Sequence, residues 1–415
     1  MEKAASLGPR EPAHPVPRAK TVAITSSAFL VAISVGSAWL GILFYMRELY
    51  RVSAGTVGLL AAANSLAYVA GCLLLRPVFR RIRSRDCLLI STGGSAVAMV
   101  GILLVRSVAV TFVLYGLFGF LMAFFWPPLA GWLSHGLESR SLGRATSRFN
   151  LSWSIGNIVS SYVAGRLSEI DPASPLWMSA GVYAATFLFL AGLAVFSSSM
   201  RADEHREAPA TEGGAPDAST PLRFPAWLGL YGAWIVIGVL VNVFPLYARE
   251  TLGIAKSGIG VLLFLRSLFT TVAFVLLGRL TFWHFRGAAM AVGLLVLAAL
   301  IALFAFSRSA LGMGLLMCGI GPCGALAYSS SIFHGMTGSA ERARRMGIHE
   351  AVLSLGLVTG STAGGFIYQE LSMAAALTGG AGLLALVAGA QLLMVARLRR
   401  RGLRPSAQAP AQQSP

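Results

Sequence analysis

Long apolar runs recur along the whole chain and are separated by short polar stretches. Each run is about 20 residues long, the length that an α-helix needs to cross the hydrocarbon core of a bilayer. The first six runs cover approximately residues 23–46, 55–76, 86–106, 108–134, 145–167 and 176–199. The second six cover approximately residues 224–247, 257–279, 287–306, 309–334, 346–369 and 372–396. The pattern predicts an all-α membrane protein with twelve transmembrane helices, because the strands of an outer-membrane barrel alternate over about 10 residues instead.

Three segments lack apolar runs and divide the chain into two bundles. Residues 200–223 are rich in Glu, Asp, Ala, Pro and Gly, a composition typical of a flexible linker. We therefore expect two six-helix bundles, at 23–199 and 224–397, joined by a cytoplasmic linker. Residues 1–22 lack the apolar core of a signal peptide, so we expect a cytoplasmic tail there. We expect a basic, disordered tail at 398–415.

The formal net charge of +17 arises from 33 Lys and Arg against 16 Asp and Glu. Most of the basic residues fall on one side of the predicted spans, together with the tails and the linker. This asymmetry follows the positive-inside rule, so we expect both termini in the cytoplasm and no nucleic-acid partner. The Arg-rich end of the chain would also be attracted to anionic lipids. The abundance of Ala, Gly and Arg favours a bacterial cytoplasmic (inner) membrane.

The two halves of the chain share a repeated pattern. Tyr45-Met-Arg47-Glu48 in the first half matches Tyr247-Ala-Arg249-Glu250 in the second, an offset of 202 residues. Further pairs at offsets of 200 to 202 are Gly58 with Gly260, Asn64 with Arg266, Gly156 with Gly356, and Gly165 with Gly365. Matches at nearly one offset, in corresponding helices, indicate two homologous halves with the same orientation. Parallel halves of this kind are one of the known architectures of secondary transporters.

With this plan the sequence resembles the major facilitator superfamily over about residues 22–397. The resemblance rests on the order of six helices, linker and six helices, and on two stretches. Arg148-FNLSWSIGNIVSSYVAGRL resembles the fifth helix of the family, and GIHEAVLSLGLVTGSTAGGFI (Gly347–Ile367) resembles its eleventh helix. The resemblance implies two bundles that rock about a central cavity, with the eighth and eleventh helices among those that line it.

The loop between the second and third helices departs from the family pattern G-x-L-x-D-R-x-G-R-R. The corresponding run is Arg76-Pro-Val-Phe-Arg-Arg-Ile-Arg-Ser-Arg85, in which Arg80 replaces the acidic residue and arginines replace both glycines. In the second half, Gly278-Arg279-Leu280 keeps the opening of the motif, but Phe282 takes the acidic position. The cytoplasmic latch that this motif forms in the family is therefore not expected here in its usual form.

Arg266 lies near the middle of the apolar run Val261–Leu280. A guanidinium at such a depth costs roughly 2.5–3.5 kcal/mol on insertion scales, and ionisable groups there normally face the bundle interior or an aqueous cavity. We expect Arg266 to face the cavity and to attract an anionic substrate, because a guanidinium binds a carboxylate or phosphate through two charge-assisted hydrogen bonds. The alternatives are a structural role, in which Arg266 pairs with Glu350 or with backbone carbonyls, and a position nearer the membrane surface.

Glu350 is the acidic residue that falls inside a predicted span, one to two turns into the eleventh helix. A carboxyl group that is alternately buried and placed near a cation can load and release a proton, so Glu350 is the candidate for proton coupling. The alternative is a structural pair, or a hydrogen bond near the helix start, where the dipole favours an anion. Asn150 holds the equivalent position in the first half. His349 adjoins Glu350, but adjacent helical side chains point in different directions.

Other polar and aromatic side chains also fall inside the predicted spans. Those that we expect to contribute to substrate binding with Arg266 are Asn64, Asn150, Trp126, Trp153, Asn242, Tyr328 and Ser331. For any one of them the alternative is a hydrogen bond to backbone or to a neighbouring helix, as is usual for polar groups within spans.

Small residues recur every four positions in the fifth and eleventh helices. The glycines of these stripes and their repeat partners are Gly156, Gly165, Gly356, Gly360 and Gly364. Such stripes let helix backbones approach closely. We expect them to allow helices to slide as the bundles rock, and close packing alone is the simpler explanation.

The chain shows no pattern typical of a cofactor site, a metal site or a catalytic centre. The four cysteines form no metal or disulfide framework, and the six histidines form no cluster of ligands. No GxxxxGK[ST] loop for ATP phosphates is present. We therefore expect neither an enzyme nor direct use of ATP.

Together these features predict a secondary active transporter that moves a small organic solute by alternating access. The buried guanidinium favours an anionic metabolite or drug-like compound, while uptake and efflux are both compatible with the sequence. We expect a monomer whose other partner is the lipid bilayer. The alternative is a non-transporting membrane sensor or scaffold on the same fold, which the altered loop motif favours slightly.

Overall fold

The computed structural model describes residues 18–134, 139–198, 220–337, 339 and 342–400. These residues form helices joined by short turns and loops, and no strand occurs in this part of the chain. The expectations for the N-terminal tail, the linker and the C-terminal tail fall almost entirely outside the described residues.

The helices follow the twelve predicted spans, which we number span 1 to span 12 in chain order. Spans 1 to 6 are Arg18–Tyr50, Ala54–Leu74, Ser84–Leu104, Val108–Met122 with Trp126–Ser134, Ser139–Ile170 and Ser174–Phe196. Spans 7 to 12 are Arg223–Asn242 with Phe244–Glu250, Lys256–Arg279, Gly287–Phe306, Ala310–Met336, Arg342–Glu370 and Met373–Arg400. A short helix, Arg76–Phe79, follows span 2. The all-helical membrane architecture predicted from the apolar runs is confirmed.

Eleven of the described spans are long and apolar enough to cross a membrane. Span 5 has 32 residues, but its arginines and asparagines lower its mean hydropathy. At 1.5 Å per residue it measures about 48 Å, well beyond the roughly 30 Å of a hydrocarbon core. Its polar ends therefore extend past the bilayer, and we assign it as the twelfth crossing. Span 1 begins and span 12 ends on the same side, the tail face; the opposite side is the distal face.

Prolines divide two of the spans. Span 4 stops at Met122 and resumes at Trp126, immediately before Pro127 and Pro128, which have no N–H to donate to the helix ladder. The N–H groups of the three intervening residues bond to carbonyls three positions back, as in a tighter helical turn. Span 7 breaks in the same way at Val243, before Pro245.

The two halves are built alike and meet along two seams. In the first half span 1 packs against spans 5 and 6, and span 2 against span 4; in the second half span 7 packs against spans 11 and 12, and span 8 against span 10. Between the halves, span 2 packs on span 11 and span 5 packs on span 8. We call these contacts seam 2–11 and seam 5–8. They border the central region in which the candidate site lies.

Most of the predicted small-residue positions pack inside one half rather than between the halves. A Cβ atom at Gly156 would lie 2.6 Å from the carbonyl oxygen of Phe29, in span 1 of the same half. A Cβ atom at Gly360 would overlap the carbonyl oxygen of Ile235 in span 7. The glycines of span 11 that face span 7 are Gly356, Gly360 and Gly364. These stripes therefore hold each bundle together.

Other glycines form the seams, near the distal face. A Cβ atom at Gly165 would lie 2.8 Å from the Cα atom of Gly260, so spans 5 and 8 approach at backbone distance. At the equivalent point of seam 2–11, a Cβ atom at Gly365 would lie 3.3 Å from the Cα atom of Gly55. Gly165 is thus the one predicted stripe residue that lies between the halves.

A salt bridge between the repeated Tyr-x-Arg-Glu motifs also joins the halves at the distal face. Arg47 at the end of span 1 contacts both carboxylate oxygens of Glu250 at the end of span 7, at 2.5 and 2.9 Å. Together with the close seams, this contact closes the distal side of the central region.

Aromatic packing anchors both tail-face loops beside the positions, Arg80 and Phe282, at which the family motif has its acidic residue. Phe79 is buried and makes an edge contact with Phe124 of span 4, with ring centroids 5.8 Å apart. In the second half His284 stacks on Phe333 at 4.1 Å, and Trp283 lies 5.2 Å from the same ring. Partial burial lowers the pKa of His284.

Candidate functional site

Arg266 lies near the middle of span 8, on the side of the helix that faces the bundle. Leu262, Ala273 and Leu277 are spaced from it at helical intervals, and all three are buried. Val272, which is 45% exposed, lies about 120° away around the helix. The side chain therefore starts from the buried side of span 8 and not from its exposed side.

The guanidinium of Arg266 has no hydrogen-bond or ion-pair partner among the residues that the structure describes. Its Nε atom is buried and unpaired, while the residue as a whole keeps partial solvent access. The pairing with Glu350 considered above is not found among the described residues. Because a buried charge is costly unless it is paired, this group is suited to hold an anion that enters from solution.

The carboxylate of Glu350 lies in span 11, where it interacts electrostatically with Tyr68 of span 2 and Tyr328 of span 10. No hydrogen bond or ion pair to it occurs within the described part of the chain. Its neighbours come from both halves, so Glu350 lies at seam 2–11. A motion of the halves would therefore change its surroundings.

Arg266 and Glu350 lie at different depths in the membrane, as the positions of their neighbours along span 10 show. A Cβ atom at Gly321 would lie 2.5 Å from the carbonyl oxygen of Arg266, whereas Tyr328, which interacts with Glu350, lies seven residues further towards the tail face. Seven helical residues rise about 10 Å. His349, the neighbour of Glu350, packs against Tyr328, so Glu350 lies nearer the tail face than the backbone of Arg266.

Ser331 and Tyr328 belong to a network with His349. The hydroxyl of Ser331 and Nδ1 of His349 are 2.8 Å apart and hydrogen-bonded. The ring of Tyr328 makes edge contact with His349 at 4.7 Å and a tilted contact with Trp234 at 5.7 Å. Ser331 is fully buried, so its hydroxyl positions His349, while Tyr328 retains partial access.

Of the candidate binding residues in the first half, some are buried in helix packing and others are accessible to solvent. Asn64 is 6% exposed and donates a hydrogen bond of 2.8 Å to the carbonyl oxygen of Tyr115 in span 4. Its amide therefore ties spans 2 and 4 together, as in the alternative considered above. Asn150 is exposed and accepts a hydrogen bond of 3.2 Å from Nε1 of Trp153. Trp126 is half-buried beside Phe125, with ring centroids 5.0 Å apart.

Asn242 connects two spans of the second half. Its side-chain amide donates to the hydroxyl of Ser361 at 2.8 Å, at the point where span 7 breaks. This bond fixes the break against span 11, so Asn242 has a structural partner as well as partial exposure.

Sequence reasoning missed Tyr68 and Trp234, which border the candidate site. Tyr68 meets Glu350 across the seam, and Trp234 packs on Tyr328. A tyrosine in an apolar span is one signal for Tyr68, but its partner lies 282 residues away in the chain (350 − 68). Only the pairing of span 2 with span 11 brings the two together.

The family is decided by a comparison of the whole sequence with family models. The model of the Major Facilitator Superfamily matches residues 24–321 and 226–415, which together cover nearly the whole chain. The protein belongs to the Major Facilitator Superfamily. Membership confirms the resemblance found in the sequence, and it makes the protein an integral, multi-pass member of a family of transporters rather than enzymes. No curated protein matches the sequence significantly.

Solved structures of superfamily transporters share the fold. The nucleoside transporter NupG superposes with a TM-score of 0.70 at 15% identity, over 91% of this chain and 99% of that one. A bacterial homologue of the human lysosomal transporter Spinster, in an inward-facing and occupied conformation, gives 0.71 at 12% identity, over 94% and 98%. A POT family transporter in complex with a thioalcohol-conjugated peptide gives 0.72 at 11% identity, over 91% and 96%. At these identities the likeness establishes the fold alone.

Proposed function

We propose that the protein is a secondary active transporter that moves a small organic anion across the membrane by alternating access. The observation that carries the proposal is the unpaired guanidinium of Arg266 on the buried side of span 8. A carboxylate or phosphate group of the substrate binds it through two charge-assisted hydrogen bonds. The similar transporters support movement of a small solute. The chemical class of that solute is inferred from this chain's own residues.

Glu350 is the proposed proton carrier. It forms no ion pair with Arg266 among the described residues, so that substrate and proton occupy different groups, and it interacts electrostatically with Tyr68 of the first half and Tyr328 of the second. When the halves separate at seam 2–11, the carboxylate loses the buried surroundings of Tyr68 and gains water. Water favours the charged form and burial favours the neutral form, so the motion couples to uptake and release of a proton.

We further propose that the tail face is cytoplasmic and that the membrane is a bacterial inner membrane. The excess of Lys and Arg on the side of the tails and the linker supports this orientation.

A thermal-shift screen tests the binding part of the proposal. Purified protein is heated with panels of organic anions, cations and neutral solutes, using the unmodified chain, Arg266→Gln and Arg279→Gln. Arg279 is the matched control, because it is an exposed arginine in the same span. An anion at about 100 times its Kd should stabilise the folded protein by about 2.7 kcal/mol.

Loss of the charge-assisted bonds in Arg266→Gln should weaken anion binding roughly 10- to 100-fold, since such bonds contribute about 1.5–3 kcal/mol. Arg279→Gln should bind like the unmodified chain. Equal stabilisation of Arg266→Gln by the same anion would refute the role of Arg266.

A further inference from the structure

The two seams end at the distal face in equivalent contacts that differ in charge. At seam 5–8 the backbone N–H of Ser257 donates to the carboxylate of Glu169 at 3.1 Å. At seam 2–11 the backbone N–H of Gly55 donates to the side-chain oxygen of Gln369 at 3.2 Å. Glu169 and Gln369 are 200 residues apart, and Gly55 and Ser257 are 202 apart, which are the offsets of the internal repeat. At each seam the last turn of one helix caps the first turn of a helix in the other half.

Lys256 adds a cation at one seam only. It is 4% exposed, and its Nζ atom lies 2.7 Å from Oε1 of Glu48 and donates to the carbonyl oxygen of Ser168 at 2.9 Å. Both partners belong to the first half, in spans 1 and 5, so the Lys256 side chain crosses the boundary between the halves. The equivalent residue at seam 2–11 is Ala54, which has no polar group to make such bonds.

The stability of span 8 does not account for the position of Lys256. It is the first residue of the helix, where the macrodipole disfavours a cation. Burial of an ammonium is also costly unless it is paired and hydrogen-bonded. Both costs are offset by Glu48 and Ser168 and by the ring of Phe44, whose centroid lies 5.5 Å from Nζ. Lys256 reaches all three groups of the first half while the distal face is closed.

A second salt bridge between the halves, among the described residues, has a more exposed cation. The side chains of Arg47 and Glu250 are 33% and 31% exposed, whereas Lys256 is 6% and its partner Glu48 38% exposed. Exposed ion pairs contribute little to stability because solvent and salt screen them. Removal of one partner from a buried pair is strongly destabilising, since it leaves an uncompensated charge. Lys256 is therefore the more buried of these two cations, and its bonds to Glu48 and Ser168 both cross between the halves.

We propose that Lys256 is a latch that holds the distal face closed at seam 5–8, whereas seam 2–11 closes without charge. The proposal rests on the proposed transport function, because alternating access requires the distal face to open. Opening withdraws the ammonium from Glu48 and Ser168 into water. The side chain of Glu48 is 38% exposed, so dissolved ions reach the pair and weaken it. Lys256 is a positioning residue that sets how often the distal face opens, and it does not contact the substrate.

Distances between spin labels test the latch at both seams. Labels at Arg166 and Val261 report on seam 5–8, and labels at the repeat-equivalent Phe366 and Leu59 report on seam 2–11; all four residues are exposed. So that only the introduced cysteines are labelled, the four native cysteines are first replaced by alanine; they are Cys72, Cys87, Cys318 and Cys323. Distance distributions are recorded for full-length protein in lipid and without substrate. Three proteins are compared: the chain that retains Lys256, Lys256→Met and Lys256→Arg.

Lys256→Met should raise the long-distance fraction several-fold at seam 5–8, and Lys256→Arg should restore the closed distances. In the chain that retains Lys256, added salt should likewise raise the long-distance fraction at seam 5–8. Salt screens the pair of Lys256 and Glu48, because the Debye length falls from about 10 Å at 0.1 M to about 3 Å at 1 M. The pair at seam 2–11 should respond much less, because its capping contact carries no charge and the exposed Arg47–Glu250 pair contributes little to stability. The proposal would be overturned if the distances at seam 5–8 were unchanged by both salt and Lys256→Met. It would also be overturned if salt changed the distances equally at both seams.

Two features keep the experiment decisive. If Lys256→Met does not fold, the salt titration still tests the latch, and the exchanged pair Glu48→Lys with Lys256→Glu should recover closed distances at seam 5–8. The distances are measured without substrate, so a protein that transports nothing still reports on the latch. A failed latch would leave Arg266-dependent anion binding, which tests the proposed function, unaffected.

Discussion

At the scale of single residues, the sequence predicts where charge is unusual but not which groups it meets. Arg266 and Glu350 stand out because each interrupts an apolar run. The bond from Asn64 to Tyr115 and the bond between Ser331 and His349 depend on which helices are neighbours. Two candidates therefore turn out to have packing partners that no spacing rule along the chain could predict.

Glu350→Gln should uncouple transport from the proton gradient while leaving substrate exchange intact, because the amide keeps the shape of the carboxyl group but cannot bind or release a proton. The measurement compares substrate accumulation driven by a pH gradient with exchange across reconstituted vesicles at equal pH. Glu370→Gln is the matched control, since Glu370 is an exposed acid at the end of the same span. Accumulation by Glu350→Gln that still follows the pH gradient would exclude Glu350 as the carrier.

At the scale of helices, apolar runs predict the spans well, but a proline does not always break one, since Pro322 lies inside the continuous helix of span 10. The helix predicted for span 5 is present and has 32 residues, although its composition does not by itself mark it as a membrane span. The direction of a small-residue stripe is harder to predict, because a glycine face can meet a helix of either half. The stripe of span 11 meets span 7 of its own half, while Gly365, one position after the stripe, meets span 2.

Gly360→Ala should destabilise the second half, because the added Cβ atom would overlap the carbonyl oxygen of Ile235. Overpacking of this kind costs about 1–3 kcal/mol, which exceeds the gain of up to about 1 kcal/mol in helix propensity. The melting temperature in detergent should therefore fall. Gly382→Ala is the control, since nothing lies within 4 Å of its Cβ position, and its melting temperature should stay equal or rise. A Gly360→Ala protein as stable as this control would show that spans 7 and 11 pack more loosely than described.

At the scale of the molecule, two homologous halves meet along two equivalent seams and close the distal face. The repeat itself was readable from the sequence, because Gly58, Gly165 and their partners recur at nearly one offset. Its departures from symmetry carry the functional proposals: Arg266 replaces Asn64 at the centre, and Lys256 replaces Ala54 at the distal end. The second half thus supplies both the central guanidinium, Arg266, and the buried ammonium of the distal contact, Lys256.

Flux across reconstituted vesicles tests the central claim most directly. An organic anion that stabilises the purified protein is supplied in radiolabelled form, and its entry is followed for the unmodified chain, Arg266→Gln and Arg279→Gln. The account predicts saturable entry that Arg279→Gln retains and that Arg266→Gln reduces at least tenfold at limiting substrate, in line with the loss of about 1.4 kcal/mol or more of binding. No entry by the unmodified chain, or equal entry by Arg266→Gln, would contradict it.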